Sequence, residues 1–178
     1  MEPVRQRGVV KRLVERIEAT ADLEAAFLLG SLARGDADDL SDVDAFVIVR
    51  EGRFDAAWSE RHALRGDEAL AAWDDVDPER PEIGAHKWIT RDLVLVEVVL
   101  ATTSSGIRLA DPFAVVAGDA AVAERVGRRP PITRADLRAF ADKRVATGHA
   151  HEIESAYESL VNAVRHAGAG ETTKAPRT

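Results

Sequence analysis

The 178-residue chain contains no cysteine, which excludes disulfide bonds, thiolate catalysis and zinc sites built on cysteine. It also has no apolar run approaching the roughly 18 residues that a membrane helix requires. The first residues lack the basic-then-apolar form of a signal peptide. We therefore expect a cytoplasmic protein that makes no contact with a membrane.

An excess of positive charge is missing as well. The sequence carries 24 basic and 31 acidic residues, for a net charge of -7, which disfavours general attraction to nucleic acid and makes a small, cationic partner a better fit. The composition, 46% apolar and 31% charged, is that of an ordinary globular protein. The length allows one domain with a sizeable core and a small helical appendage.

The most informative stretch is a pair of predicted strands joined by a glycine turn and a polar loop, at residues 27–49. Asp42 and Asp44 open the second strand two residues apart, so both carboxylates point out of one face, about 7 Å apart. Mg²⁺ is usually held by one or two carboxylates together with phosphate oxygens and water. Gly30 and Ser31 end the first strand, where the turn offers backbone N–H groups and a hydroxyl to phosphate oxygens.

A third acid lies downstream, because residues 93–100 read as an apolar strand with Glu97 as the single charge at its centre. A carboxylate in such a strand is costly to bury without a cation or a partner. One solution is a metal ion shared with the two aspartates. The other is a structural pair with an arginine such as Arg91 or Arg108.

Arg34, in the loop after the glycine turn, also has two interpretations. Its planar, permanently charged guanidinium suits a nucleotide phosphate. The alternative is a local ion pair with one of the loop acids Asp36, Asp38 and Asp39.

The spacing of these residues resembles that of the nucleotidyltransferases of the DNA polymerase beta superfamily. Their signature is an apolar strand, Gly-Ser, roughly ten residues, an Asp-x-Asp and a later acid within an apolar strand. Here Gly30-Ser31 is followed by ten residues, then Asp42-Val43-Asp44, and later Glu97. The fuller forms at residues 30–36 and 41–44 look most like the small bacterial branch, with its aminoglycoside, lincosamide and minimal toxin–antitoxin nucleotidyltransferases.

The resemblance implies a Mg²⁺-dependent enzyme that moves a nucleoside monophosphate, AMP from ATP, to a hydroxyl of a small acceptor such as an aminoglycoside or lincosamide. Asp42, Asp44 and Glu97 would be the catalytic and metal-binding residues, and Gly30, Ser31 and Arg34 would bind the nucleotide. Two alternatives stay open. One is a minimal-nucleotidyltransferase antitoxin that adenylylates a partner protein, and the other is a non-catalytic nucleotide-binding scaffold on the same fold.

The sequence predicts an α/β fold with a mixed sheet of four to five strands, helices on one side of it, and a C-terminal helical pair. An apolar stripe in the last helix predicts either a core or the seam of a homodimer. The predicted division is a catalytic domain at 1–126, a helical region at 127–168 that begins with a linker at 127–131, and a flexible tail at 169–178. The predicted elements of the first part are a helix at 4–19, a strand at 25–29, a helix at 54–73, a loop at 74–81, and a hairpin of strands at 83–89 and 93–100.

Overall fold

The computed structural model describes residues 4–76 and 79–131, with positions 133, 135, 138 and 139 beyond them. The chain divides into two compact units, Met1–Pro131 and Ile132–Thr178. All the elements described below belong to the first unit. Of the predicted C-terminal helices, positions 135, 138 and 139 are helical, and the rest, with the predicted tail, lies outside the described residues. No helix in the described part of the chain has the length and apolar character needed to cross a membrane.

The described elements of the first unit, in chain order, are α1 Val4–Glu18, β1 Leu23–Leu28, α2 Gly30–Arg34, β2 Val43–Val49, α3 Phe54–Ser59, α4 His62–Arg65, β3 Ala69–Val76, β4 Ile83–Thr90, β5 Leu95–Ala101, β6 Leu109–Ala110, β7 Ala114–Gly118, α5 Val122–Val126 and β8 Arg128–Arg129, with 3-10 turns at Gly66–Glu68 and Thr103–Ser105.

The first unit is built on a six-stranded mixed sheet in the order β3-β4-β5-β2-β1-β7. In this sheet the pairing of β2 with β5 is parallel and the others are antiparallel. Flanking helices on a mixed sheet confirm the predicted fold class, although the sheet has six strands rather than four or five.

Both faces of the sheet carry a hydrophobic core, because successive residues of a strand point to opposite faces. On one face, Val43, Ala45 and Val47 of β2 belong to a cluster with α1, α3 and α4. On the other face, Phe46 and Ile48 belong to a cluster with α5. Helices therefore cover both faces, and the expectation that they lie on one side was wrong.

The predicted helix at 54–73 is wrong in its second half. The chain leaves α4 through a 3-10 turn and continues as β3, which pairs with β4 from Ala69↔Thr90 to Val76↔Gly84 and forms an edge of the sheet. Alanine favours a helix over ordinary residues by up to about 0.7 kcal/mol per residue, a preference that strand pairing readily overrides. The predicted linker also differs, since Arg128–Arg129 pairs with Leu109–Ala110.

A polar network centred on Asp74 joins β3 to β4 and to the start of α4. Arg61 donates from Nε and Nη2 to the two carboxylate oxygens of Asp74, at 2.9 and 2.6 Å. Asp74 Oδ1 also lies 2.7 Å from Nδ1 of His86, which is buried in β4. The hydrogen bonds from Arg61 are the main cause that lowers the pKa of Asp74 to about 2. Asp74 is therefore charged throughout the neutral pH range and keeps its ion pair with Arg61.

Candidate active site

The parallel register of β2 and β5 places two of the predicted site acids side by side. Asp44 is the register partner of Glu97, and paired residues on adjacent strands face the same side of the sheet. The preceding pair, Val43 and Val96, is fully buried in the core on the opposite face. Pairing of the two strands thus brings together carboxylates that are far apart in the sequence.

The row of side chains continues onto β4 and β3. Lys87 is the register partner of Glu97, and Trp73 is the partner of Lys87. The Nζ atom of Lys87 lies 3.2 Å from Glu97 Oε2 and 3.7 Å from Asp75 Oδ2. The acid in β5 therefore has a lysine partner, whereas the sequence analysis considered Arg91 and Arg108.

Sequence reasoning missed Lys87, although a signal for it was present. The hairpin of β4 and β5 was predicted, and a hairpin with a short turn places residues at equal distances from the turn opposite each other. Counting back from the predicted turn at 90–92 puts Lys87 opposite Leu95, two residues from Glu97 on the same strand face. The observed register pairs Ile89 with Leu95 and so brings Lys87 opposite Glu97, where opposite charges across the strand pair stabilise each other.

The electrostatic environment of Asp44 differs strongly from that of water. Burial is the largest cause that raises its pKa to about 6, and the negative charges of Asp42 and Glu97 add to it. The positive charges of Lys87 and Arg34 act in the opposite direction. The side chain thus carries an unfavourable charge near neutral pH, which a nearby cation would offset.

The glycine turn lies directly against this carboxylate. Gly30 has a φ of +63°, and a Cβ atom placed on it would lie 2.5 Å from Asp44 Oδ2. The amide of Leu29 donates to the carbonyl oxygen of Asp44 at 2.9 Å. The short helix α2 starts here with Gly30 and Ser31, and its N-cap residue, Leu29, has an apolar side chain that caps none of its N–H groups.

Arg34, at the end of α2, adopts the local pairing in this structure. Its Nε donates to Asp36 Oδ2 at 3.1 Å, and both side chains are exposed. An exposed pair of this kind contributes little to stability, so a phosphate could replace Asp36 at small cost.

The acids fit a divalent cation in chemistry, but no group of three or more His, Asp or Glu side chains within the described ranges is arranged to hold one. Asp42 and Asp44 offer the hard oxygen ligands that Mg²⁺ prefers. The negative charges of Asp42 and Glu97 add to burial in raising the pKa of Asp44, so a cation at this place would be favoured. Glu97, the third acid, is paired with Lys87 at 3.2 Å.

An acid pair at the start of β2, with Asp42 directly before the strand and Asp44 within it, follows a glycine turn and has a third acid on the parallel neighbouring strand. This arrangement defines a class of nucleotide-transferring domains. Residues 8–112, more than half of the chain, match the family described as nucleotidyltransferase domain. The chain belongs to this family, which is part of the DNA polymerase beta superfamily and whose members commonly use a divalent metal ion. The matched span contains all six predicted site residues. None of the curated proteins compared with the chain matches it.

Proposed function

We propose that this protein transfers AMP from ATP to a hydroxyl group of a small-molecule acceptor, in a reaction that depends on Mg²⁺. The observation that carries the proposal is the half-buried carboxylate of Asp44, which lies against the Gly30 turn and beside Glu97. Membership of the nucleotidyltransferase family supports a nucleoside triphosphate as the donor. The choice of ATP, and of an aminoglycoside or lincosamide as acceptor, follows from the resemblance to the small bacterial branch.

Five of the six site residues have a proposed role in holding the donor. Asp42 and Asp44 would bind Mg²⁺, which would supply positive charge to offset that of the phosphates. The backbone N–H groups of Gly30 and Ser31 at the start of α2 would bind the terminal phosphates. Arg34 would exchange its ion pair with Asp36 for one with a phosphate.

The proposed chemistry is an in-line displacement at the α-phosphorus. The acceptor oxygen forms a bond to phosphorus, the bond from that phosphorus to the β-phosphate breaks, and pyrophosphate leaves with the electron pair. The acceptor proton passes to the carboxylate of Glu97, which the ion pair with Lys87 orients. An ion-paired carboxylate on the same sheet face as Asp44 is suitably placed for this role.

The acceptor is proposed to bind over β4 and β3, next to Glu97. Trp73 lies beyond Lys87 in the same row and is half-buried, and Asp75 follows two residues later on the same strand face. An aromatic ring beside a carboxylate suits a ring-shaped acceptor that carries amino groups. The net charge of -7 favours the same kind of molecule.

Transfer of label from α-labelled ATP tests this proposal directly. The assay supplies Mg²⁺ and offers aminoglycosides, lincosamides and a protein lysate as acceptors, with the other nucleoside triphosphates in parallel. We expect label on a small molecule. Label on one protein would replace the small acceptor with a protein partner, and bound ATP without transfer to any acceptor would favour the non-catalytic scaffold.

The acid pair gives a sharp mutational prediction. Asp42→Asn and Asp44→Asn keep the side-chain shape but remove the charge, and each is expected to lower the transfer rate by about 100-fold or more. The matched control is Asp39→Asn, which changes an exposed acid of the same loop and is expected to keep the wild-type rate. Full activity in either site variant would contradict the proposed mechanism.

A further inference from the structure

We propose that Gln6, in helix α1, is a positioning residue that fixes the turn leading into the acid pair. The inference rests on the proposed function, because the residue that it positions, Asp42, is a proposed metal ligand. Sequence reasoning gave Gln6 no role.

The contacts of Gln6 join α1 to the catalytic loop. Its side chain is buried, with 1% of the residue exposed. Nε2 donates to the carbonyl oxygen of Asp38 at 3.2 Å and to that of Ser41 at 2.7 Å. These two carbonyls are the ends of a turn, and Asp42 follows Ser41 directly in the chain. Both hydrogens of the Gln6 side-chain amide are therefore donated to the segment that directly precedes Asp42.

The turn is closed by its own polar groups but is otherwise exposed. The amide of Ser41 donates to Asp38 O at 3.1 Å, and the amide of Asp38 donates to Ser41 Oγ at 2.9 Å. Asp38 Oδ1 accepts a hydrogen bond from the amide of Leu40 at 3.0 Å. Leu40, at the tip, is 93% exposed, so apolar burial does not anchor the tip. The amide of Gln6 supplies a fixed point on the folded domain.

The side-chain oxygen of Gln6 is evidence against a purely stabilising role. Gln6 Oε1 is buried and has no hydrogen-bond partner within the described residues, which costs free energy. Gln6 precedes Val9, Leu13 and Ile17 at helical spacing on the buried face of α1. An apolar residue of similar size would fill this position without that cost but could not hold the turn. A costly polar group at such a place is explained by the position it imposes on its partners.

The test compares Gln6→Met with a control, Thr20→Val, just beyond the C-terminal end of the same helix. Methionine conserves the volume and removes the donor, whereas Thr20→Val removes only the hydrogen bond from Thr20 Oγ1 to Arg16 O, 2.9 Å long. Two quantities are measured: hydrogen exchange of the Leu40 and Ser41 amides, and the affinity for Mn²⁺ by calorimetry. We expect about tenfold faster exchange and about tenfold weaker Mn²⁺ binding in Gln6→Met, with an unchanged or raised Tm. The control is expected to change neither exchange nor affinity.

A second variant tests the same turn if Gln6→Met does not fold. Ser41→Ala opens the turn from its own side without changing α1, and is expected to produce the same two changes. The double variant is expected to be no worse than either single variant, since both act through one turn. Wild-type exchange and wild-type Mn²⁺ affinity in Gln6→Met would overturn the role of Gln6 alone. Failure of the wild-type protein to bind Mn²⁺ would instead overturn the proposed function.

Discussion

At Gly30 the backbone lies close to the carboxylate of Asp44. Gly30→Ala is expected to abolish most transfer activity, because the new Cβ would lie 2.5 Å from Asp44 Oδ2 and would force that carboxylate to move. It is also expected to lower the free energy of unfolding by about 1 to 3 kcal/mol, since alanine is strained at positive φ.

Gly35 provides the matched control for this variant. It has a φ of +76°, and nothing lies within 4 Å of a Cβ placed on it. Gly35→Ala therefore carries the same backbone strain without a contact to the carboxylate. Transfer rates and urea unfolding are measured for both variants, and equal loss of activity in the two would contradict the assigned role of Gly30.

The raised pKa of Asp44 makes a prediction about stability in the absence of metal. The folded state holds its proton up to a pKa of about 6, while the ordinary value is 3.8. The folded protein therefore binds more protons in this range, and its free energy of unfolding falls as the pH rises through it. Asp44→Asn avoids the loss, so its stability relative to wild type is expected to increase by up to about 3 kcal/mol between pH 4 and pH 7.5.

Urea unfolding in the presence of a chelator, at the two ends of this pH range, measures the difference. Asp39→Asn serves as the control because the carboxylate that it removes is exposed. A difference between wild type and Asp44→Asn that is the same at both pH values would show that the carboxylate titrates normally.

At the scale of secondary structure, β4 contributes the lysine that orients the third acid. Lys87→Met is expected to lower kcat by about 10-fold or more, since loss of a group that orients a catalytic side chain typically has effects of this size. Both kcat and the Mg²⁺ concentration that gives the half-maximal rate are measured for Lys87→Met and for wild type. Lys11→Met, which removes an exposed lysine 3.9 Å from Glu15, is the control. A wild-type kcat in Lys87→Met would leave the ion pair with Glu97 without a catalytic role.

The elements that were predicted correctly from the sequence are those with a strong local pattern. Helix α1 has apolar residues at helical spacing, and strands β2, β4 and β5 are apolar runs bounded by turn residues. The Gly30-Ser31 and Asp42-x-Asp44 pattern was enough to identify the family, which the match over residues 8–112 confirms. The roles of these residues, and the small bacterial branch, stay predictions.

What the sequence could not provide is set by contacts between distant segments. Strand β3 is rich in alanine, and only its pairing with β4 makes it extended. Gln6 is one polar residue on an otherwise ordinary amphipathic helix, and its partners are carbonyl oxygens about which side-chain patterns carry no information. The pairing of Lys87 with Glu97 depends on the register of the β4–β5 hairpin. The pattern of apolar residues restricts the possible registers but does not select one of them.

For the whole molecule, the proposed function predicts that donor and metal stabilise the fold together. A ligand that binds only the folded state at 100 times its Kd adds about 2.7 kcal/mol to the free energy of unfolding. We expect Tm to rise when ATP and Mg²⁺ are both present, and to rise much less with either alone. Differential scanning fluorimetry measures this, and Asp42→Asn is expected to remove the joint effect. A rise with ATP and chelator equal to that with ATP and Mg²⁺ would exclude metal-dependent binding.

The parallel pairing of β2 with β5 also imposes an evolutionary constraint. Deleting one residue from β5 ahead of Glu97 would turn every following side chain of that strand to the opposite face, so that Glu97 would point into the core occupied by Val96 and Val98. A deletion within β2 would move the side chains that follow it to the opposite face in the same way. A single deletion would therefore disrupt both the hydrophobic core and the proposed active site. The turns and loops of the connection between the two strands, outside β3 and β4, are free of this restriction. We therefore expect inherited length changes in those turns and loops rather than within the paired strands.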